Sequence, residues 1–184
     1  MTSAPDLRAR VDKALQEFLG TALPPLAAVA DDLGPVAEAT ESFVLDGGKR
    51  LRPSFCYWGY RAAGADDDER IVTAAASLEL LQACALVHDD VIDRSDTRRG
   101  APSVHRRFAA MHRAAGWHGD PEAFGEAAAI LLGDLALIWA DSMLASSGFD
   151  ASVLQRAAPV WDAMRVEVMA PEVPAADYKV AFGL

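Results

Sequence analysis

Apolar side chains recur three and four positions apart along nearly the whole chain, and no stretch alternates β-branched with polar residues for the length of a strand. Leu7, Val11, Leu15, Phe18 and Leu19 share one face of a first helix over residues 5–19, which Pro24-Pro25 is expected to break. Further helices are expected over residues 36–45, 52–63, 68–95, 103–115, 122–146 and 151–170, with Pro121 placed for a first helical turn. Residues 98–102 and 116–121 read as loops. Ala65-Asp66-Asp67-Asp68 reads as a solvated turn and helix N-cap, where acidic groups are favoured, rather than as a metal site. Long helices with apolar faces pack side by side, so the fold class is all-α, a helical bundle forming a single domain over residues 1–184.

The helix over 68–95, roughly 40 Å at about 1.5 Å per residue, is largely apolar from Ile71 to Ile92, with Gln82 and His88 among its polar exceptions. Such a helix belongs in a core. It runs into His88-Asp89-Asp90-Val91-Ile92-Asp93-Arg94-Ser95-Asp96-Thr97-Arg98-Arg99-Gly100. Asp89 and Asp93, four apart, stack on one helical face with Asp90 beside them. Oxygen donors of this kind suit Mg²⁺, which keeps several waters and binds one or two carboxylates together with substrate phosphates. Arg98 and Arg99 follow, with forked donors suited to phosphate oxygens. Taken alone, acids followed by arginines also describe a solvated helix end with weak ion pairs. The buried approach favours the first reading, since carboxylates at the end of a core helix are costly unless a cation meets them.

A second basic segment lies upstream. Asp46-Gly47-Gly48 closes a helix with residues that tolerate left-handed backbone, and Lys49, Arg50 and Arg52 follow at once. Glycines let a phosphate approach the backbone where cations await it; an ordinary glycine C-cap with surface basic residues is the other reading of this segment.

Three segments together resemble the trans-isoprenyl diphosphate synthases, the polyprenyl synthetase family. Asp89-Asp90-Val91-Ile92-Asp93 with Thr97-Arg98-Arg99-Gly100 is similar to that family's first aspartate-rich motif. Gly47-Gly48-Lys49-Arg50-Leu51-Arg52-Pro53 resembles its isopentenyl diphosphate loop, and Leu80-Leu81-Gln82-Ala83 its polar contact to the same substrate. The likeness extends over about residues 31–170. It implies a helical bundle with a deep central cavity, and a Mg²⁺-dependent condensation of isopentenyl diphosphate with an allylic diphosphate. By resemblance, Asp89, Asp90 and Asp93 hold Mg²⁺, Arg98 assists the allylic diphosphate, and Lys49, Arg52, Gln82 and Arg99 seat isopentenyl diphosphate. The inward direction of Arg50 is left open. Leu81, Cys84 and Ala85 would line the pocket for the growing hydrocarbon; the family stops at farnesyl where bulky aromatics stand at the last two places, so small residues here imply geranylgeranyl or longer products.

The likeness stops after residue 170. Pro171-Glu172-Val173-Pro174 stands where the family has Gly-Gln-Tyr-Leu-Asp, and Asp162 and Asp177 lack aspartate partners at metal spacing. The expectation is therefore an incomplete, N-terminal half of the bundle that works as a homodimer or with a complementing second chain. The alternative is a non-catalytic or regulatory half-subunit that binds diphosphate. A terpene cyclase is disfavoured because it has no need of Lys49 and Arg52, and an EF-hand because residues 90–97 lack its central glycine and terminal glutamate.

Composition narrows the remaining classes. The 184 residues are 52% hydrophobic, enough for a sizeable core, and the net charge of −10 argues against nucleic acid as partner. Cys56 and Cys84, lacking zinc-type spacing, read as buried, reduced thiols of a cytoplasmic protein. The apolar stretch over residues 127–140, interrupted by Gly133 and Asp134, falls short of the ~20 residues of a membrane span. His105 and His112, without a carboxylate at ligand spacing, read as helix-surface or phosphate-adjacent residues rather than zinc ligands.

Overall fold

A computed structural model describes residues 4–29, 33–46 and 48–169. The elements run α1 (Ala4–Ala27), α2 (Gly34–Leu45), α3 (Leu51–Ala62), α4 (Glu69–Ile92), a two-stranded hairpin β1 (Thr97–Arg98) and β2 (Ala101–Pro102), α5 (Val104–Ala115), α6 (Pro121–Ala145) and α7 (Ala151–Met169). The expected all-α bundle is what forms.

Helix α4 is its axis, packed along α6 and against α1 and α3. The α1 stripe of Leu7, Val11, Leu15 and Leu19 is fully buried and continues to Leu23. It meets Val72, Ala76 and Leu80 of α4, Tyr57 of α3 and Ala140 and Met143 of α6 in one core. A second cluster, Val87, Val104, Phe108, Ala129 and Leu132, ties the far end of α4 to α5 and α6. Asp68 caps α4 as expected, its carboxylate accepting from Arg70 N at 2.8 Å. The helix stops at Ile92, three residues short of the sequence-based boundary, with Asp93 as its C-cap.

Several expectations are corrected. Pro24 and Pro25 lie inside α1 rather than breaking it. Each removes one N–H, but the ring's fixed φ suits a helix, and the carbonyls that lose a helical donor belong to Gly20 and Thr21, which are exposed to solvent. Burial of Leu23 just before the prolines and partial burial of Leu26 just after them hold the last turn on the core. His105 and His112 are buried, not on the surface: His105 Nδ1 sits 3.2 Å from Ser103 Oγ, and His112 donates from Nε2 to His118 O at 3.1 Å while packing on Trp117 and Phe124. Cys84 is buried as expected, Cys56 only in part. Among the described residues two helices, α4 and α6, reach the length and hydropathy of a membrane span, beyond what residues 127–140 suggested. For α4 the reason is its place at the centre of the bundle.

Candidate functional site

The segment read as a loop after α4 is a tight antiparallel hairpin pairing Thr97 with Pro102 and Arg98 with Ala101. Its two turn residues, Arg99 (φ 55°) and Gly100 (φ 80°), both take positive φ, as the type I′ turn that joins twisted strands requires. Glycine at the second turn position was the available signal; arginine at the first concealed it.

The hairpin separates two neighbouring guanidinium groups. Arg98 folds back onto the end of α4, where Nε lies 2.9 Å from both oxygens of Asp90 and Nη2 lies 2.7 Å from Asp90 Oδ1 and 2.9 Å from Asp89 Oδ2. Asp90 has no exposed side-chain surface, so this multiple contact supplies the neutralisation its burial demands. The hydrogen bond to Asp90 raises the Arg98 pKa, burial working against it. Asp89 keeps a third of its side chain exposed and Asp93 is exposed. The three aspartates therefore differ: one is sealed beneath Arg98 and two present oxygens to solvent.

Arg99 points the other way, its Nη1 donating to Asp46 O at 3.0 Å, beside Gly48 (φ 87°). The hairpin thus joins the two motifs, which lie some forty residues apart in sequence. Lys49 and Arg52 are exposed on either side of Arg50. Gly47 lies outside the described residues. Arg50 does turn inward, but into the core: left-handed at φ 49° and 3% exposed, it bonds Asp12 and Glu79 at 2.7 Å each and the carbonyls of Val44 and Leu45. Burial opposes its charge, and the bonds to Glu79 and Asp12 outweigh that, raising its pKa. Arg107, which the sequence did not single out, joins Arg98 and Arg99 around a 170 Å³ cavity walled by Ser42, Asp46 and Pro102.

Along α4, Asp89, Ala85, Gln82 and Leu78 are all half-buried and spaced four, three and four apart, so they form one open face. Ala74 and Ile71 continue it into an apolar cavity of 490 Å³ closed by Tyr60, Phe149 and Trp161. Leu81 and Cys84 lie off this face, 5% and 1% exposed in the core. Burial, with the charge of Asp134, pushes the Cys84 thiol up to about 11. Of the three expected pocket residues, the structure brings Ala85 to the open face.

Among the described residues, no three His, Cys, Asp or Glu side chains converge to hold a metal unaided. The donor set of Asp89 and Asp93, oxygen-only and open on one side, fits Mg²⁺, an ion that completes its shell with water and substrate phosphate.

A family model of polyprenyl synthetases matches residues 35–169. The chain belongs to the polyprenyl synthetase family. A geranylgeranyl diphosphate synthase of Rhodobacter capsulatus is 34% identical over 140 residues, 75% of this chain and 43% of the relative. Component 2 of the heptaprenyl diphosphate synthase of Geobacillus stearothermophilus is 43% identical over 82 residues, 45% of this chain and 25% of the relative. The crystal structure of a geranylgeranyl pyrophosphate synthase from Corynebacterium glutamicum, complexed with isoprenyl diphosphate and magnesium, matches with a TM-score of 0.87 at 40% identity, covering 99% of this chain and 52% of that one. This polyprenyl synthetase chain spans about half the length of that structure and less of the two sequence relatives.

Proposed function

We propose that the chain contributes the diphosphate-binding half of a prenyl transfer site, which condenses isopentenyl diphosphate with an allylic diphosphate to give geranylgeranyl diphosphate or a longer polyprenyl diphosphate. The observation that carries this reading is the hairpin: it sets Arg98 on the carboxylates ending α4 and Arg99 on the Gly48–Lys49 loop, so two anion sites adjoin.

In this reading Asp89 and Asp93 hold Mg²⁺, which when bound offsets the charge of the allylic diphosphate so that it can leave. Asp90 acts through Arg98, holding that guanidinium beside the departing diphosphate. Lys49, Arg52 and Arg99, with Gln82 on the open face of α4, seat isopentenyl diphosphate so that its double bond faces the allylic carbon. The allylic C–O bond breaks, a C–C bond forms, and a proton leaves the isopentenyl unit. The growing hydrocarbon runs down the face that begins at Ala85. Turnover also needs a facing set of acidic groups, supplied by further sequence or by a second chain.

Titration calorimetry tests the binding half of this proposal. Allylic diphosphate is expected to bind only with Mg²⁺ and to lose that binding in Asp89→Ala, while isopentenyl diphosphate binding persists; Mg²⁺-independent binding of the allylic substrate would overturn it. A second reading, a non-catalytic subunit that binds diphosphate for a partner, draws support from the relative named as a synthase component. Assay of the full-length protein alone separates the two: condensation by one chain type excludes the subunit reading.

A further inference from the structure

The ring of His88 lies in a slot on α6 that exists because residue 133 is glycine. A Cβ on Gly133 would fall 2.2 Å from His88 Nε2 and 2.5 Å from Cδ2, closer than any side chain tolerates. Within the slot every polar atom of the ring is engaged by a neighbour. Nε2 lies 3.1 Å from Ile130 O and 3.5 Å from Asp134 Oδ1, two acceptors, which assigns the proton to Nε2. Nδ1 then accepts from the Cys84 thiol, 3.8 Å away and kept protonated by its burial.

Successive helical positions are about 100° apart. His88 and Asp90 therefore point to nearly opposite sides of α4, and Asp89 projects between them. On one side His88 is keyed into α6, and on the other Asp90 is clamped by Arg98. Core packing and the Glu79–Arg50 ion pair seat the middle of α4, whereas at its last turn the polar anchors are His88 and Asp90. Side-chain heads sit about 5–6 Å from that axis, so a rotation of about 20° would carry the Asp89 carboxylate about 2 Å, and a displacement of about 1 Å can cost ~10²-fold in a reaction.

We infer that His88 and Gly133 are positioning residues, a key and slot across the α4–α6 seam that fixes the rotation of the last turn of α4 and so aims Asp89 and Asp93. The inference rests on the prenyl diphosphate reading above and adds to it the residues that set the aim of the carboxylates.

The test uses the full-length protein, with Mg²⁺ and inorganic pyrophosphate as probes in calorimetry and isopentenyl diphosphate binding without metal as an internal control. In Gly133→Ala and in His88→Leu the Mg²⁺ needed for half-saturation is expected to rise about tenfold or more, with isopentenyl diphosphate affinity unchanged. His88→Gln, which keeps a donor for Ile130 O, is expected to restore most of the Mg²⁺ response. Folded variants with wild-type Mg²⁺ dependence would overturn the inference while leaving the functional reading intact. Absence of Mg²⁺-dependent pyrophosphate binding in the wild type would overturn both. Should the variants not fold, nitrogen NMR of the wild type decides: the His88 Nε2–H signal is expected to be protected from solvent and to shift on addition of Mg²⁺ and pyrophosphate, and an unprotected, unresponsive ring would overturn the inference.

Discussion

Arg98 bridges Asp90 and Asp89, so one guanidinium closes over a carboxylate with no exposed surface and also reaches one that is a third exposed. Two adjacent aspartates in one motif are thereby given different tasks. Asp90 is committed to the protein, and Asp89 keeps part of its carboxylate open to solvent.

Substitution separates those tasks. Arg98→Ala leaves the Asp90 charge buried without a partner and is expected to cost about 3 kcal/mol, the lower end of the range for breaking a buried pair because Arg98 is itself a quarter exposed. Asp90→Asn is expected to cost about 1–3 kcal/mol. Asp89→Asn should change stability by less than about 1 kcal/mol while abolishing Mg²⁺-dependent diphosphate binding. Denaturant titrations beside calorimetry check the contrast; equal destabilisation by the two Asp→Asn changes would remove the distinction.

The helix order and the all-α class were legible in the sequence because period-3.6 patterning is strong and local. The α1 stripe was visible to Leu19, but its continuation to Leu23 and across Pro24-Pro25 to Leu26 depended on those leucines finding a core, which only tertiary packing shows. The same holds at the site. The motif residues announced themselves by type and spacing, whereas the split between Asp89 and Asp90 depends on where a hairpin returns Arg98. Arg50 illustrates the limit: its sequence neighbours are exposed cations, and its own fate was decided by Asp12 and Glu79 from two other helices.

The hairpin turn offers a second prediction. Arg99 holds a left-handed conformation that costs a non-glycine residue about 1–2 kcal/mol. Arg99→Gly should therefore retain or slightly raise thermal stability while weakening isopentenyl diphosphate binding, since the guanidinium is lost and the backbone relieved. Gly100→Val, at φ 80°, should destabilise by about 1–2 kcal/mol. Thermal melts paired with binding isotherms test both; an Arg99→Gly variant of unchanged affinity would remove Arg99 from the site.

Buried His105 gives the stability a pH dependence of definite sign. Burial, reinforced by the nearby Arg106 charge, lowers its pKa from the ordinary 6.5, and Asp90, Glu126 and Asp96 oppose this only in part. The unfolded chain then takes up a proton before the folded one does. The contribution of His105 is fully present above about pH 6.5 and is lost progressively as pH falls below it toward the lowered folded value. Unfolding free energies measured from pH 7.5 down to 5.5 should decline in the wild type and decline less in His105→Gln; parallel slopes would show that another group is responsible.

Helix α6 presents Ile130, Leu131 and Ile138 to solvent, 44%, 68% and 59% exposed on one side of the helix. Apolar surface clustered in this way marks an interface. Self-association is expected in light scattering, and Leu131→Glu or Ile138→Glu should shift the protein toward monomer without lowering helicity. A monomeric wild type at assay concentrations would count against the expected dimer or complementing chain.

Product length is the most demanding prediction because it follows from a single face of α4. If an allylic diphosphate is held at Asp89, its hydrocarbon meets Ala85 one turn back, then Leu78, and finally the cavity that Tyr60, Phe149 and Trp161 close. The methyl of Ala85 is the smallest side chain on this face above Leu78, one turn from the carboxylates. Phenylalanine there would fill the path where Ala85 is half-buried and little packing opposes a larger side chain, so folding should survive. The complete enzyme is expected to make geranylgeranyl diphosphate or longer, and Ala85→Phe to shift it to farnesyl diphosphate with allylic diphosphate affinity retained. Cys84, fully buried off this face, is a less clean probe, because a larger residue there must displace core neighbours. Chromatography of the dephosphorylated products decides the matter: a wild type that already stops at farnesyl, or an Ala85→Phe enzyme with unchanged products, would show that the hydrocarbon does not follow this face of α4.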